Sequence, residues 1–292
     1  MGLSIRESGP GFVGEVSGVD ITRDLDAATF AAIQEGIDHH GVLVFHDQPL
    51  DHARQIAFSR RLGELERTIS KSRSAKHPPE IADISNVDHN GRHLPPTSRK
   101  VIFNRGNGEW HSDSSFKPVP AKYSLLSARE IPPVGGETEF ADMRAAYDAW
   151  PGMEGVGKAD LEGLICEHSL VYSRLRNTGE VFTETQKAEL PTVRQALIRT
   201  HPATGRKNFF VGAHVVTIVG WPEEPARALI DSLIDWCVQP RFVHQHRWQQ
   251  HDLVMWDNRR VMHRGLPFDE AAHRRVMART TVAGDGPTAP PA

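Results

Sequence analysis

From Glu109 onward the apolar residues come in short stretches, each broken by turn-forming residues: AKYSLLSARE, PPVGGETEFAD, RKNFFVG, HDLVMWDN and RRVMARTTVAG. Such stretches suit strands of roughly four to eight residues, and their regular interruption predicts an all-β core. Two helices are expected within it, near 141–150 and near 223–237. In the second, Ala226, Leu229, Ile230, Leu233 and Cys237 recur on one face. Before the core, FVGEVSGVDI (12–21) reads as an early strand pair and VLVF (42–45) as a buried strand. A helix capped by Asp26 carries a stripe of Phe30, Ile33 and Ile37 and stops at Gly41. A second helix is capped by Asp51 and stopped by Gly63. IADISNV is a short strand inside the polar segment 67–108, a candidate lid or substrate segment. GDGPTAPPA (284–292) is expected to be a disordered tail. No repeat or linker divides the chain, so the expectation is one domain over 1–292, mainly β with flanking helices.

Charge excludes some functions. The formal net charge is −3 with 24% charged residues, and no basic stripe marks a nucleic-acid surface. No apolar run approaches the roughly 18 residues that span a bilayer. The start, MGLSIRESGPGF, lacks a basic segment followed by an apolar one, so a cytoplasmic protein is expected, with Cys166 and Cys237 as free thiols. The oligomeric state stays open, and a homo-oligomer is admissible.

Sixteen histidines are spread along the chain. In EWHSDSSF (109–116), His111 and Asp113 stand two apart, and in a strand they would share a face. An imidazole and a carboxylate there are half of a transition-metal site. A third ligand must come from elsewhere, among His168, His201, His214, His244, His246, His251, His263 and His273. His263 stands out. It ends the return after a strand and a turn at Asp257 and Asn258, and HRRVMAR follows it. In a strand there, Arg275, Met277, Arg279 and Thr281 share one face, with the two arginine Cα atoms about 13 Å apart. Guanidinium groups facing a β core are costly unless they bind anions. Two histidines, one aspartate and a nearby arginine form the facial pattern of a non-haem Fe(II) oxygenase, with positions left for a 2-oxo acid and dioxygen.

His111 to Asp113, PPVGGETEFADM with Thr138, WDNRRVMHRG with His263, HRRVMAR and the opening VSGVDI together resemble the taurine dioxygenase and 2,4-dichlorophenoxyacetate dioxygenase family, over nearly the whole chain. FADMRAAYDAW, HSLVYSR, HPATGRK and DLVMWDNR are most similar to its aryloxyalkanoate branch. The resemblance implies a double-stranded β-helix (jelly-roll) core and dependence on Fe(II), 2-oxoglutarate and O2. It implies hydroxylation of the carbon beside the ether oxygen of an aryloxyalkanoate, a small carboxylic acid. The products would be a phenol and a 2-oxo acid, with succinate and CO2. By resemblance, His111, Asp113 and His263 ligate the metal. Thr138 and Arg275 hold the distal carboxylate of 2-oxoglutarate, and Trp256 walls that pocket. Arg279 lies near the substrate anion, His214 serves substrate recognition, and the segment from Ser85 to Asn107 lines the substrate mouth. Because PFDEAAH departs from the family pattern, Arg274 competes with Arg275 as the anchor; alternation with Arg279 favours Arg275.

Other readings remain. An alkylsulfonate such as taurine, or an alkyl sulfate, also suits an arginine. A zinc hydrolase would need a base near the metal water, for which Glu109 is the local candidate. A non-catalytic jelly-roll binder would need no arginines beside a metal site. His244 and His246 share a face and read as satisfied sheet histidines, while His201 is divided between structural and functional roles.

Overall fold

The computed structural model describes residues 2–68, 77–179 and 182–289. Strands β1 (Ser4–Ser8) and β2 (Val13–Ser17) precede helix α1 (Ala27–His40), strand β3 (Val42–Phe45) and helix α2 (His52–Arg60). Next come β4 (Ala82–Ser85), α3 (Arg99–Arg105), β5 (Tyr123–Glu130), β6 (Thr138–Asp142) and α4 (Met143–Ala149). An insert follows with α5 (Lys158–Leu161), β7 (Ile165–His168), α6 (Leu170–Thr178), α7 (Glu184–Glu189), β8 (Val193–Ala196), β9 (Ile198–Thr200), β10 (Lys207–Phe209) and β11 (Val215–Ile218). Then come α8 (Glu223–Cys237), β12 (Val243–His246), β13 (Leu253–Asp257), β14 (Val261–Gly265) and β15 (Val276–Val282).

Seven strands form one sheet in the order β1-β2-β3-β13-β5-β15-β4, and β12-β6-β14 form a small sheet. Apolar side chains alternate between two cores. Val42, Val44, Val254, Trp256 and Met277 of the large sheet meet Phe140 and Val261 of the small one. Leu43, Phe45, Leu253 and Met255 face the other way, against Phe30, Ile33 and Ile37 of α1 and Phe58 of α2. A strand buried on both faces must be apolar throughout, which is why VLVF shows no polar alternation. A third core packs α4 and α8 on the insert strands.

Several expectations hold. The Asp26 side chain accepts from Thr29 N, and Gly41 closes α1 with φ 83°, a conformation that favours glycine. The buried face of α8 is Ala226, Leu229, Ile230, Leu233 and Cys237. Cys166 and Cys237 are free and buried. No described helix is long and apolar enough to cross a membrane. Other expectations are corrected. The early strand pair begins at Ser4, since β1 pairs with β2 from Ser4↔Ser17 to Ser8↔Val13; exposed, polar SIRES gave no apolar signal. Helix α2 ends at Arg60, three residues before Gly63. The return after Asp257 is no hairpin, because β13 and β14 belong to different sheets. The segment 67–108 is structured where described: β4 pairs with β15, and Lys100 Nζ bonds Asp83 and Ser85 at 2.6 and 2.8 Å. Residues 69–76 of it lie outside the described residues. As far as Ala289 the tail is docked, not disordered. Asp285 accepts from Arg259 Nη1 at 2.9 Å, and Thr288 Oγ1 from Ala196 N at 3.0 Å. Residues 290–292 lie outside the description.

The turn between β13 and β14 rests on a buried charge pair. Asp257, fully buried, accepts from Arg259 Nη2 at 2.7 Å and pairs with His201 Nε2 at 2.9 Å. His201 is therefore structural. Asp38, His201 and Asp257 cluster closely enough to suggest a metal, but the Arg259 guanidinium already supplies the positive charge. Burial alone would raise the Asp257 pKa, yet Arg259 and then His201 hold it below the usual carboxylate range. A depressed folded-state pKa contributes stability that is complete above the unfolded value, about 3.9, and is lost as pH falls below it. Arg259→Met should destabilise the fold by about 3–5 kcal/mol at neutral pH, because it strands a buried carboxylate. It should also flatten the acid-side loss of stability. Urea unfolding from pH 3 to 7 checks both, and an unchanged midpoint would show that the pair contributes nothing.

Candidate metal centre and active site

A pair of backbone hydrogen bonds builds the site. His111 N donates to His263 O at 3.0 Å, and His263 N to His111 O at 2.8 Å. This bridge extends the small sheet past β14 and sets the two imidazoles 4.2 Å apart, centroid to centroid. Phe140 stacks on His263, and Trp256 lies 4.6 Å from it, so the ring has one orientation. Asp113 reaches the pair differently from the expectation. His111 is bridged, but Asp113 opens a turn in which Ser114 takes φ 55°. The turn, and not strand alternation, aims the carboxylate. Asp113 Oδ1 lies 3.9 Å from His111 Nε2, and Oδ2 lies 3.7 Å from His263 Nε2.

Each ligand-capable atom is prepared. His111 Nδ1 lies 2.6 Å from Glu109 O, an acceptor, so Nδ1 carries the proton and Nε2 keeps its lone pair for the centre. Burial pushes His111 down to about 4, and burial, then His111, pushes His263 well below its ordinary value. Both are neutral imidazoles at pH 7, the form that binds metals. Burial would raise Asp113, but Arg279, whose Nη1 donates to Oδ1 at 2.6 Å, and the two histidines keep it well below the carboxylate range. Ser124 Oγ donates to Oδ2 at 2.7 Å. Asn258 completes a ring. Its Oδ1 accepts from Asp113 N and Trp256 Nε1, and its Nδ2 donates to Ser124 Oγ. Two neutral nitrogens and one ionised carboxylate, all buried and within 4.8 Å of one another, fit a divalent redox ion such as Fe(II). Glu109 contributes only its carbonyl, and its exposed side chain is no base for a zinc hydrolase.

A second feature lies before β6. Arg275 Nη2 donates to Gly136 O at 3.1 Å, and Asn86 Oδ1 holds the Arg275 backbone N at 2.8 Å. Gly136 has φ 74°, and a Cβ there would come 3.2 Å from Arg275 Nε, so the guanidinium needs glycine. Burial lowers Arg275 to about 10, which leaves it cationic at pH 7. Among the described residues it has no carboxylate within ion-pair distance. Arg274 turns away to Glu130 at 3.0 Å. Thr138, two residues after Gly136, is buried and accepts from Trp248 Nε1 at 3.0 Å.

The remaining expected residues divide. His214 is buried 5.8 Å from the His111 ring, packs edge-on to Phe116 and shares a hydrogen bond with Ser173. Asn107 accepts from Arg174 Nη2 at 2.9 Å. Burial, His111 and Arg174 depress His214, so Arg174 belongs to the same neighbourhood. Trp256 lies beneath His263 as core. The Ser85 hydroxyl accepts from Lys100 Nζ at 2.8 Å and donates to Asp83 Oδ1. Asn258, Ser124, Asn86, Arg174 and Trp248 escaped the sequence reading. The sequence marks Asn258 only as a turn residue, and Arg174 lies inside HSLVYSR with no signal of its own. The partners of Asn86 and Trp248, and the Asn258 partner of Ser124, lie far along the chain.

His111→Ala and Asp113→Ala should each abolish tight Mn(II) binding without unfolding the protein. Asn258→Ala, which loosens only the support, should weaken it by about 10- to 100-fold. Calorimetric Mn(II) titration checks this, and full affinity in either alanine ligand variant would refute the centre.

Comparisons with known proteins give the family of the chain. Residues 4–281 match the family model described as taurine catabolism dioxygenase TauD, TfdA family. The chain is 43% identical over 276 residues to an alpha-ketoglutarate-dependent 2,4-dichlorophenoxyacetate dioxygenase of Burkholderia sp. (strain RASC), covering 94% of this chain and 92% of that protein. It is 36% identical to a (S)-phenoxypropionate/alpha-ketoglutarate-dioxygenase of Sphingobium herbicidovorans, covering 92% and 91%. The crystal structure of AAD-2 in complex with Mn(II) and N-oxalylglycine superposes with a TM-score of 0.91 at 42% identity, covering 99% of this chain and all of that one. A match of this extent makes the chain a member of the TauD/TfdA family of 2-oxoglutarate-dependent dioxygenases.

Proposed function

We propose that this dioxygenase hydroxylates the carbon next to the ether oxygen of aryloxyalkanoic acids. The hydroxylated carbon then carries both an ether and a hydroxyl oxygen and collapses to a phenol and a 2-oxo acid, with 2-oxoglutarate leaving as succinate and CO2. We take the chain as one domain with the large and small sheets as a jelly roll, and residues 77–108 as its substrate-side cover. The reading rests chiefly on the separation of two charge environments. A neutral histidine pair with Asp113 suits a metal, and Arg275 stands apart from it with no carboxylate of its own among the described residues. A dicarboxylic 2-oxo acid needs both at once.

His111, Asp113 and His263 hold Fe(II), which with 2-oxoglutarate and O2 supplies the oxidising power for an unactivated C–H bond. Arg275 takes the distal carboxylate in the two-pronged geometry guanidinium favours, and Thr138 adds a hydrogen bond. N-oxalylglycine, seen in the AAD-2 structure, has the chain length and both carboxylates of 2-oxoglutarate. Trp256 fixes His263 and, through Asn258, Asp113. Arg279 clamps Asp113 with one amino group, and its remaining N–H groups serve the substrate anion. His214 and Phe116 form the ring-facing wall, and Asn107 borders it through Arg174. Exclusion of water falls to this wall and to the cover segment.

With the iron-loaded enzyme, succinate release and phenol formation should follow from aryloxyacetate or one aryloxypropionate enantiomer, and not from taurine or alkyl sulfates. Turnover of the sulfur compounds alone would overturn the substrate assignment. Arg275→Ala should raise the KM for 2-oxoglutarate about 10- to 100-fold, the loss expected for a charge-assisted hydrogen-bonded pair, with little change in the substrate KM. The reverse pattern would exchange the roles of Arg275 and Arg279.

A further inference from the structure

We infer that Trp248 is a positioning residue for the cosubstrate: its indole N–H fixes the Thr138 hydroxyl as a donor toward the distal carboxylate. The inference rests on the assignment of Thr138 and Arg275 to that carboxylate. Thr138 sits in the middle of the small sheet, opposite His246 on β12 and Gly265 on β14, and its side chain is buried. A threonine hydroxyl has one proton and two lone pairs, and alone it can turn either toward a ligand. The indole N–H is a donor only. Trp248 Nε1 lies 3.0 Å from Thr138 Oγ1 and therefore occupies a lone pair. The proton is then turned away from Trp248, free for an acceptor on the far side. A carboxylate is acceptor-only, so the hydroxyl meets it with the correct polarity before the ligand arrives. A donated hydrogen bond also polarises the O–H and strengthens it as a donor.

The indole is itself held. His246 meets the Trp248 ring edge to face, 4.6 Å between centroids. His246 Nε2 lies 3.0 Å from Asp252 Oδ2, which also accepts from Gln249 N at 2.8 Å. The other oxygen, Oδ1, lies 2.7 Å from His46 Nδ1. Asp252 thus ties the turn between β12 and β13 to the end of β3 and leaves Trp248 little freedom. None of these groups belongs to the metal centre, so this pinned indole would otherwise be an ordinary core tryptophan.

Trp248→Phe keeps an aromatic ring and deletes the N–H. Calorimetric titration of the Mn(II)-loaded protein should show 2-oxoglutarate affinity weakened about 3- to 10-fold, the size of one modest hydrogen bond. In turnover, the KM for 2-oxoglutarate should rise equally, with kcat at saturation and the substrate KM within twofold of wild type. Replacing Trp248 alone by β-(3-benzothienyl)alanine, which has the indole shape but no N–H, should give the same loss at an unchanged melting temperature. In a Thr138→Ala background, Trp248→Phe should cost nothing more. If Thr138→Ala weakens binding but neither Trp248 change does, or if the two losses simply add, the inference falls and the carboxylate assignment stands. If Thr138→Ala itself leaves 2-oxoglutarate affinity unchanged, the assignment of Thr138 fails, and the role of Trp248 fails with it.

Discussion

The active region depends on two backbone hydrogen bonds between His111 and His263. They join a loop to the middle of β14 and give both imidazoles one address. Side-chain contacts alone could not set the pair so reliably, because each imidazole would keep its own rotamer freedom. With the backbones locked, Phe140 and Trp256 need only choose the orientation of one ring. Asp113 is then brought in by a tight turn whose amide is held by Asn258.

Charge is apportioned to match. Arg279, Arg275 and Arg259 are each costly to bury, and each has a different settlement. Arg259 is matched by Asp257 inside the protein and stabilises the crossover between sheets. Arg279 is matched in part by Asp113 and keeps that carboxylate ionised. Among the described residues the Arg275 guanidinium is held by a carbonyl alone, so an incoming dianion would find a cation whose desolvation is already paid for. Neutral histidines beside an ionised aspartate complete a centre ready to receive a divalent ion.

Much of the scaffold was legible in the chain. Asp26 and Gly41 bound α1 because capping is local chemistry, and the buried stripe of α8 follows from helical periodicity. His246 is a satisfied sheet histidine as expected, and its acidic partner is Asp252, six residues on and just before the next strand. Failures came where the determinant is not local. SIRES forms β1 because β2 offers it an edge, and Thr288 docks because Ala196 presents a backbone amide.

The sequence by itself determined the class of strand-rich core, the ends of α1 and the candidate metal ligands. Turn residues, apolar period and ligand chemistry are properties of short segments. Only the tertiary structure decided which arginine faces inward, how Asp113 reaches the histidines and what holds Thr138. Those outcomes depend on Glu130, Asn86, Asn258 and Trp248, each distant in sequence from the residue it directs or placed by a strand pairing that no local pattern encodes. Hydrogen bonds have the range of contact, and contact between remote segments exists only after the sheets have formed.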